Sequence, residues 1–199
     1  MKTHFTLRAS IVIATTVILL ASCASPRAVI RMNPVSENVR WSYGQAFAAD
    51  TVTGIVVEAA YDRSTLEYNI FDVSVINGSN MNYLVDPVNF CFHEKQYNNS
   101  PANVYKAIDP ETMLLTIDKK ESEEVGGTQN PSFETVDEAE RQRGLWMNGT
   151  VRKTTLEPGT RIDGKIYFPR FEKPATYILQ LPIDEKFAKI TFNQLTFLP

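Results

Sequence analysis

The sequence predicts a mainly β fold, a sandwich of about eight short strands that is interrupted by one helical insertion. Three observations lead to this prediction. Apolar residues alternate with polar residues in several short runs, turn-forming residues separate these runs, and one stretch after the middle of the chain has helical spacing instead. Because such alternation is typical of a strand with one buried face, we expect the runs to form two sheets packed face to face.

The strands are expected to begin at Gly54. Asn77-Gly78-Ser79-Asn80 predicts a turn after the second strand, because Asn and Gly tolerate positive φ. Glu157-Pro158-Gly159-Thr160 has proline and glycine at the positions that a type II turn favours. The most regular alternation follows this turn, with Ile162, Gly164, Ile166 and Phe168 on one side of the strand. The predicted strands lie at 55–62, 71–76, 83–85, 88–93, 104–107, 150–156, 161–168, 177–181 and about 190–192.

The helical insertion is predicted at about 109–148. Asp109-Pro110-Glu111 contains a capping residue, a proline at the first helical position and an acid in the first turn. An apolar stripe from Met113 to Ile117 follows, and Gly126-Gly127 is expected to end this helix. A second helix is predicted from about Glu134 to Trp146. The insertion is therefore expected to be a helical hairpin.

Residues 1–22 have the pattern of a secretory signal peptide. Lys2 and Arg8 form a short basic region, and the apolar run Ala9–Leu20 is too short for a comfortable membrane span. Leu20-Ala21-Ser22-Cys23 resembles the bacterial lipobox. The resemblance implies cleavage before Cys23 and acylation of this residue, so the lipid bilayer is an expected partner of the chain.

Residues 23–53 are then expected to be a lipid-anchored tether and arm, and residues 54–199 the sandwich with its insertion. The residue after the cysteine is Ala24 rather than Asp. In enterobacteria this resembles a lipoprotein of the outer membrane, facing the periplasm or the cell surface. The expected location is therefore a bacterial membrane, with the outer membrane favoured.

Two further passages resemble one family. Phe71–Phe92 (FDVSVINGSNMNYLVDPVNFCF) and Thr154–Pro182 (TTLEPGTRIDGKIYFPRFEKPATYILQLP) are similar to immunoglobulin-like, telokin-like domains of extracellular lipoproteins. The resemblance covers most of residues 54–195 outside the insertion, and its motifs are structural. It implies an Ig-like β-sandwich that acts as a binding or assembly module, with no catalytic residues to transfer.

The composition argues against several classes of function. The mature chain would carry 18 basic and 23 acidic residues, a net charge near −5, and no basic cluster predicts a nucleic-acid partner. With Cys23 acylated, Cys91 has no cysteine to pair with, and its place in an apolar run predicts a buried thiol. We expect no metal site and no cofactor, since no motif for either is present.

Histidine is the test for an enzyme, because a hydrolytic relay needs a base. Removal of the signal leaves His93 as the one histidine of the mature chain, and no Gly-x-Ser-x-Gly motif is present. We expect His93 to be a surface residue beside Glu94. The sequence therefore favours a non-catalytic protein.

Aromatic residues are the better candidates for function, because they supply contact area at low entropic cost. Tyr97, Tyr105, Trp146 and Tyr167 fall in predicted loops, the insertion or outward positions of a strand, and they form the candidate partner-binding surface. For Trp146, the favoured alternative is that it packs the insertion onto the sandwich.

Three functions remain open at this stage. The first is a non-catalytic lipoprotein that binds a protein or glycan at the cell envelope. The second is a small envelope hydrolase that uses His93. The third is a purely structural subunit of an envelope complex.

Overall fold

A computed structural model describes residues 29–37, 39–95, 103–127, 133–171 and 173–197. Ile30–Thr196 forms the compact unit that contains the strands and helices discussed below. Among the described residues, no helix has the length and apolar character needed to cross a bilayer. The fold is mainly β, with two helices inserted between strands, as the alternation predicted.

Two five-stranded sheets pack against each other, and a small two-stranded sheet lies beside them. The first sheet has the order β1-β12-β11-β7-β8, the second β10-β5-β4-β3-β2, and the small sheet pairs β6 with β9. A short 3₁₀ turn spans Pro87–Asn89, and the two helices are α1 (Pro110–Gly127) and α2 (Phe133–Asn148). The strands are β1 (Val29–Pro34), β2 (Val39–Ser42), β3 (Gln45–Val52), β4 (Ile55–Ser64), β5 (Tyr68–Asn77), β6 (Tyr83–Val85), β7 (Cys91–Glu94), β8 (Val104–Lys106), β9 (Thr154–Leu156), β10 (Arg161–Pro169), β11 (Thr176–Ile183) and β12 (Lys186–Phe197).

The core between the large sheets is built from aromatic rings. Phe92 of β7 lies at the centre, with its ring centroid 4.8 Å from that of Phe71, 4.7 Å from Phe168 and 5.9 Å from Phe192. All four side chains are fully buried. Burial of each such ring contributes about 1.5–3 kcal/mol, so this cluster is a large part of what holds the two sheets together.

The helical insertion begins and ends where the sequence predicted. The Asp109 carboxylate accepts hydrogen bonds from the Glu111 amide (3.0 Å) and the Thr112 hydroxyl (2.8 Å), which confirms the predicted cap. The predicted turn at 157–160 is also confirmed, because Gly159 has a φ of +76° and the Thr160 amide donates to the Glu157 carbonyl.

Four stretches differ from the sequence predictions. Val29–Pro34, expected in the tether and arm, forms strand β1 and pairs with β12 at the edge of the first sheet. Val39–Val52, expected in a tether and arm, forms a β-hairpin through Tyr43 and Gly44, both at positive φ. β3 then pairs with β4, so that this hairpin extends the second sheet. The start of the predicted strand at 88–93 is a 3₁₀ turn instead, since Asp86 caps it and Pro87 begins it. The last strand is also much longer than predicted.

Asn77 joins the sandwich to the small sheet. Its side chain is fully buried, and its amide nitrogen donates to the carbonyls of Met81 (2.8 Å) and Leu156 (2.9 Å). Its side-chain oxygen accepts from the amide (3.1 Å) and hydroxyl (2.7 Å) of Ser79. At the predicted turn, the chain therefore passes from β5 to the small sheet, and the fully hydrogen-bonded side chain of Asn77 holds it there.

Replacing Asn77 with alanine tests this interpretation. We expect Asn77→Ala to lower the free energy of unfolding by on the order of 3 kcal/mol, because the buried Leu156 carbonyl loses its donor and the other hydrogen bonds of the Asn77 side chain are lost with it. Urea unfolding followed by circular dichroism measures the change. The exposed neighbour Asn80 supplies the control, since Asn80→Ala is expected to stay within about 0.5 kcal/mol of the parent protein. Equal effects of the two substitutions would contradict the role assigned to Asn77.

Candidate functional site: a cleft under the helical hairpin

A cleft lies between the helical hairpin and the outer face of the second sheet. Its volume of about 790 Å³ is within the range of ligand-binding sites, about 300–1,000 Å³. Strands β5 and β10 form the floor, α1 and α2 form the walls, and the loop between β4 and β5 contributes Thr65 and Glu67. The two helices contact each other more extensively than they contact the strands. This leaves the space beneath them open.

Three aromatic residues close the base of the cleft. The ring of Trp146 lies 4.3 Å from that of Tyr167, and Tyr68 packs edge-on at 6.5 Å from Trp146 and 6.0 Å from Tyr167. Trp146 is only 5% exposed, whereas both tyrosines are half-buried. The Thr150 hydroxyl also donates to the Trp146 carbonyl (2.6 Å), so the end of α2 is fixed to the sheet at this point.

The floor beside these rings is apolar. Ile70 is 1% exposed although it lies on the outer face of β5, where the alternation predicts polar residues. Met113 and Ile117 are one helical turn apart on α1 and lie above the floor, and Leu145 of α2 faces them across the cleft. The apolar stripe predicted in α1 therefore lines the cleft rather than the core between the sheets.

The charged residues of the lining balance each other. Three cations and three anions are present, namely Arg63, Lys120 and Arg141, and Glu67, Glu121 and Glu138. Arg141 pairs with Glu138 at 2.6 Å, and hydrogen bonds from Arg141 and Gln142 lower the pKa of the Glu138 carboxyl to about 2. This balance favours a neutral, partly apolar ligand over a strongly charged one.

The hairpin itself is held together by Arg143 of α2. Its guanidinium pairs with Asp118 (2.9 Å) and Glu121 (2.6 Å) of α1. These hydrogen bonds raise the pKa of Arg143. At the other end of the hairpin, Arg152 pairs with Glu111 at 2.5 Å. Arg143 thus joins the two helices to each other, and Arg152 joins the start of α1 to the segment that follows α2.

The two tyrosines of the cleft act as neutral polar groups. Burial, with the nearby Glu67 carboxylate, raises the pKa of Tyr68, and burial raises the pKa of Tyr167. Both hydroxyls are protonated at neutral pH and are able to donate or accept a hydrogen bond. They add polar contacts to a mainly apolar site.

The four aromatic residues proposed from the sequence do not form one exposed surface. Trp146 and Tyr167 meet in the cleft, where Trp146 packs the insertion onto the sandwich. Tyr105 lies at the first sheet, with its ring 4.6 Å from Phe171 and packed against the core. Tyr97, like Cys23, lies outside the described residues.

His93 and Cys91 lie together on the outer face of the first sheet, away from the cleft. The Cys91 sulfur is 3.2 Å from Nε2 of His93, and burial raises the pKa of the thiol despite the nearby Lys106. Cys91 is half-buried rather than buried as predicted, because the flanking Phe90 and Phe92 point into the core instead. Within the described part of the chain, four cavities have linings that do not include His93.

A metal-binding cluster is also not found among the described residues, where no three His, Cys, Asp or Glu side chains come together suitably. The arrangement best suited to a ligand is therefore the cleft. Sequence reasoning missed Tyr68 and Ile70 as parts of it. Their signal was present, since apolar residues occupy both faces of β5 at its start.

Comparison with known proteins adds little to this picture. No family model matches the chain, and no curated protein shows significant similarity to it. Among solved structures, the chain is similar to the crystal structure of the yjhA protein from Bacillus subtilis, at 12% sequence identity. That similarity covers 71% of this chain and 76% of the other, with a TM-score of 0.31. A score this low supports no conclusion about fold or function.

The contact between Trp146 and the sheet is open to direct measurement. We expect Trp146→Ala to speed amide hydrogen exchange in residues 110–148 roughly a hundredfold, because losing a buried indole costs about 3 kcal/mol. Exchange in β4 and β5 should change much less. Leu115→Ala, at an exposed position of α1, is the control and should leave exchange unchanged. Unchanged exchange in the helices of the Trp146 variant would show that this contact does not hold the hairpin.

Proposed function

We propose that the protein is a lipid-anchored, non-catalytic binding module of the bacterial cell envelope, and that the cleft is its binding site. The observation that carries the proposal is the cleft itself, with its aromatic base, apolar floor and balanced rim. Binding sites are mostly apolar, with a few polar groups that orient the ligand, and the cleft has this character.

The favoured ligand is a protein segment that presents apolar side chains. Met113, Ile117 and Leu145 offer aliphatic contact, and the protonated Tyr68 adds a polar group. A sugar ring usually stacks on an open aromatic face, whereas Trp146 is almost fully covered here. A glycan is therefore the alternative that the experiment must separate from a protein.

The domain that presents the cleft is proposed to be immunoglobulin-like. Two antiparallel sheets with chain crossovers, from β5 to β7 and from β10 to β11, support this assignment. The five strands in each sheet and the β6–β9 pair are additions to the minimal arrangement. Modules of this architecture present loops and insertions on a rigid frame, which suits the proposed role.

Two leucines of the hairpin supply a matched test of the cleft. Leu145 lines the cleft and is 45% exposed, whereas Leu115 is 69% exposed and outside the lining. We expect Leu145→Glu to weaken capture of envelope partners by the full chain about tenfold or more, because a carboxylate enters an apolar site, and Leu115→Glu to leave it unchanged. Quantitative pull-down from solubilised envelopes measures both.

The identity of the ligand follows from the same experiment. Treating the envelope extract with protease should abolish capture if the ligand is a protein, and treating it with glycosidases should not. Capture that survives protease would contradict the protein ligand and point to a glycan. Equal capture by the two glutamate variants would contradict the cleft as the binding site.

The lipid anchor has its own test, based on the two cysteines of the chain. Cys23→Ser is expected to abolish metabolic labelling with palmitate, because the serine hydroxyl does not replace the sulfur that carries the lipid. Cys91→Ser is the control and should retain the label. A Cys23→Ser protein that is labelled like the parent would rule out the anchor, without bearing on the cleft.

A further inference from the structure

One end of the sandwich combines exposed apolar and basic residues, most of which lie outside the cleft, although Arg63 and Glu67 also belong to its lining. We call it the entry end, because Ile30 begins the compact unit there. The Tyr61 hydroxyl donates to the Ile30 carbonyl (2.8 Å), which places Ile30 at the end of β4 that leads into the 65–67 loop. Arg170 joins this loop to the segment after β10, through hydrogen bonds to the carbonyls of Thr65 and Glu67.

The β2–β3 turn lies at the same end. β3 pairs with β4 in a register that brings its start, Gln45, beside the end of β4, and Gln45 donates to Asp72. The turn residues Tyr43 and Gly44 therefore extend from the sheet in the same direction as the 65–67 loop. The entry end is thus formed by two tips of the second sheet and by the chain that leaves β10.

Large apolar side chains are exposed at these tips. Trp41 is 73% exposed, Leu66 is 65% exposed, and Tyr43 is fully exposed. Tyr43 also has a φ of +50°, a conformation that favours Asn, Asp or Gly in such turns. An exposed tyrosine with positive φ at a hairpin tip, beside an exposed tryptophan, contributes nothing to the core, and exposed apolar patches of this kind mark interaction surfaces.

Basic residues surround the exposed tips. Arg31 follows Ile30, Arg63 and Arg170 flank the 65–67 loop, and Lys95 and Lys173 lie at the matching end of the first sheet. Among the described residues, three acids lie among them, namely Asp62, Glu67 and Glu94. Asp62 pairs with Arg63 (3.4 Å) and Lys165 (2.8 Å), and Glu94 accepts a hydrogen bond from Asn103. The entry end therefore carries an excess of positive charge on a chain that is acidic overall.

The opposite end of the sandwich has a different character. Met81 and Phe187 are exposed there as well, so exposed apolar residues alone do not distinguish the two ends. The turns beside them carry more acids than bases, however. Asp184 and Glu185 form the β11–β12 turn, where Lys186 follows them, and Glu157 lies in the turn beside Asn77. An anionic surface would attract the entry end and repel this one.

The tether adds a length constraint, and this step rests on the proposed anchor at Cys23. Six residues lie between Cys23 and Ile30, and the seven steps from one to the other span at most about 25 Å when fully extended. A ten-residue strand such as β4 is about 33 Å long. With an anchor at Cys23, the distance between Ile30 and the bilayer is therefore at most about 25 Å, which is shorter than the sandwich is long.

We propose that the entry end docks on the surface of the membrane that holds the anchor. Trp41, Tyr43 and Leu66 enter the headgroup region, where aromatic side chains with a polar edge are most stable. The surrounding arginines and lysines lie against the phosphates of anionic lipids. The occupant of this surface is thus a bilayer with anionic headgroups.

The two tryptophans of the chain make the proposal measurable, because Trp41 is exposed and Trp146 is buried. The acylated full chain is placed in vesicles whose acyl chains are brominated, and Trp41→Phe is measured in parallel. The difference between their emission spectra belongs to Trp41. We expect the lipid to quench this emission about twofold or more in vesicles of phosphatidylcholine with phosphatidylglycerol, and less in phosphatidylcholine alone or at high salt. Emission of the Trp41→Phe protein should change little.

Charge variants locate the docking end. Arg63→Gln combined with Lys173→Gln should reduce the quenching of Trp41, whereas Lys186→Gln at the opposite end should not. Protein that floats with the vesicles while Trp41 stays unquenched would overturn the docking and leave the anchor intact. Protein that remains in the supernatant would overturn the anchor, and the docking with it. Equal effects of the two charge variants would overturn the assignment of the entry end.

Discussion

The packing of Trp146 on Tyr167 joins the helical hairpin to the sandwich, and the shape of the cleft depends on it. Tyr167 is presented by β10, whose other face supplies Ile166 and Phe168 to the core. After α2, residues Thr150 and Val151 run directly beside β10. A Cβ atom at Gly164 would lie 2.8 Å from the Val151 nitrogen, so only glycine permits this approach. The insertion is thus fixed at its base by one ring pair and one close backbone contact.

A strand that is buried on both faces explains why a site forms here. β5 sends Phe71, Val73 and Val75 into the core, while Ile70 on its opposite face lies under the hairpin. The helices cover this second face incompletely, and Arg143 ties them to each other above it. What remains is a cavity with an apolar floor on a rigid sheet. Sites on rigid elements lose little conformational entropy on binding, which suits a binding module.

The sequence predicted the parts of the fold that depend on local patterns. The alternation in β4, β5 and β10, the Asp109 cap and the glycine turn at 157–160 are properties of neighbouring residues, and all were found. The β2–β3 hairpin was missed because its turn uses Tyr43 at positive φ, a residue that does not signal such a turn.

The cleft was only partly predictable, for a different reason. Its residues come from the 65–67 loop, two strands and two helices, and their meeting depends on how the hairpin packs. Trp146 and Tyr167 were candidates by residue type, but residue type does not say that they contact each other. Tyr105, chosen for the same reason, belongs instead to the edge of the core, because β8 pairs with β7 and turns its ring towards Phe171.

The cleft and the entry end, the two proposed binding surfaces, differ in how their charges are balanced. In the cleft, Arg141 is neutralised by Glu138, and Arg143 beside it by Asp118 and Glu121, so burial of an apolar ligand dominates its energetics. Such burial is insensitive to moderate salt. At the entry end, by contrast, cations exceed anions, and attraction to a charged surface fades beyond a Debye length of about 8–10 Å. The proposed tether of at most about 25 Å would allow the entry end to leave the bilayer and would keep it close enough to return to that range often. The two proposals together predict a chain that holds a partner through apolar contacts while its distance from the membrane varies with ionic conditions.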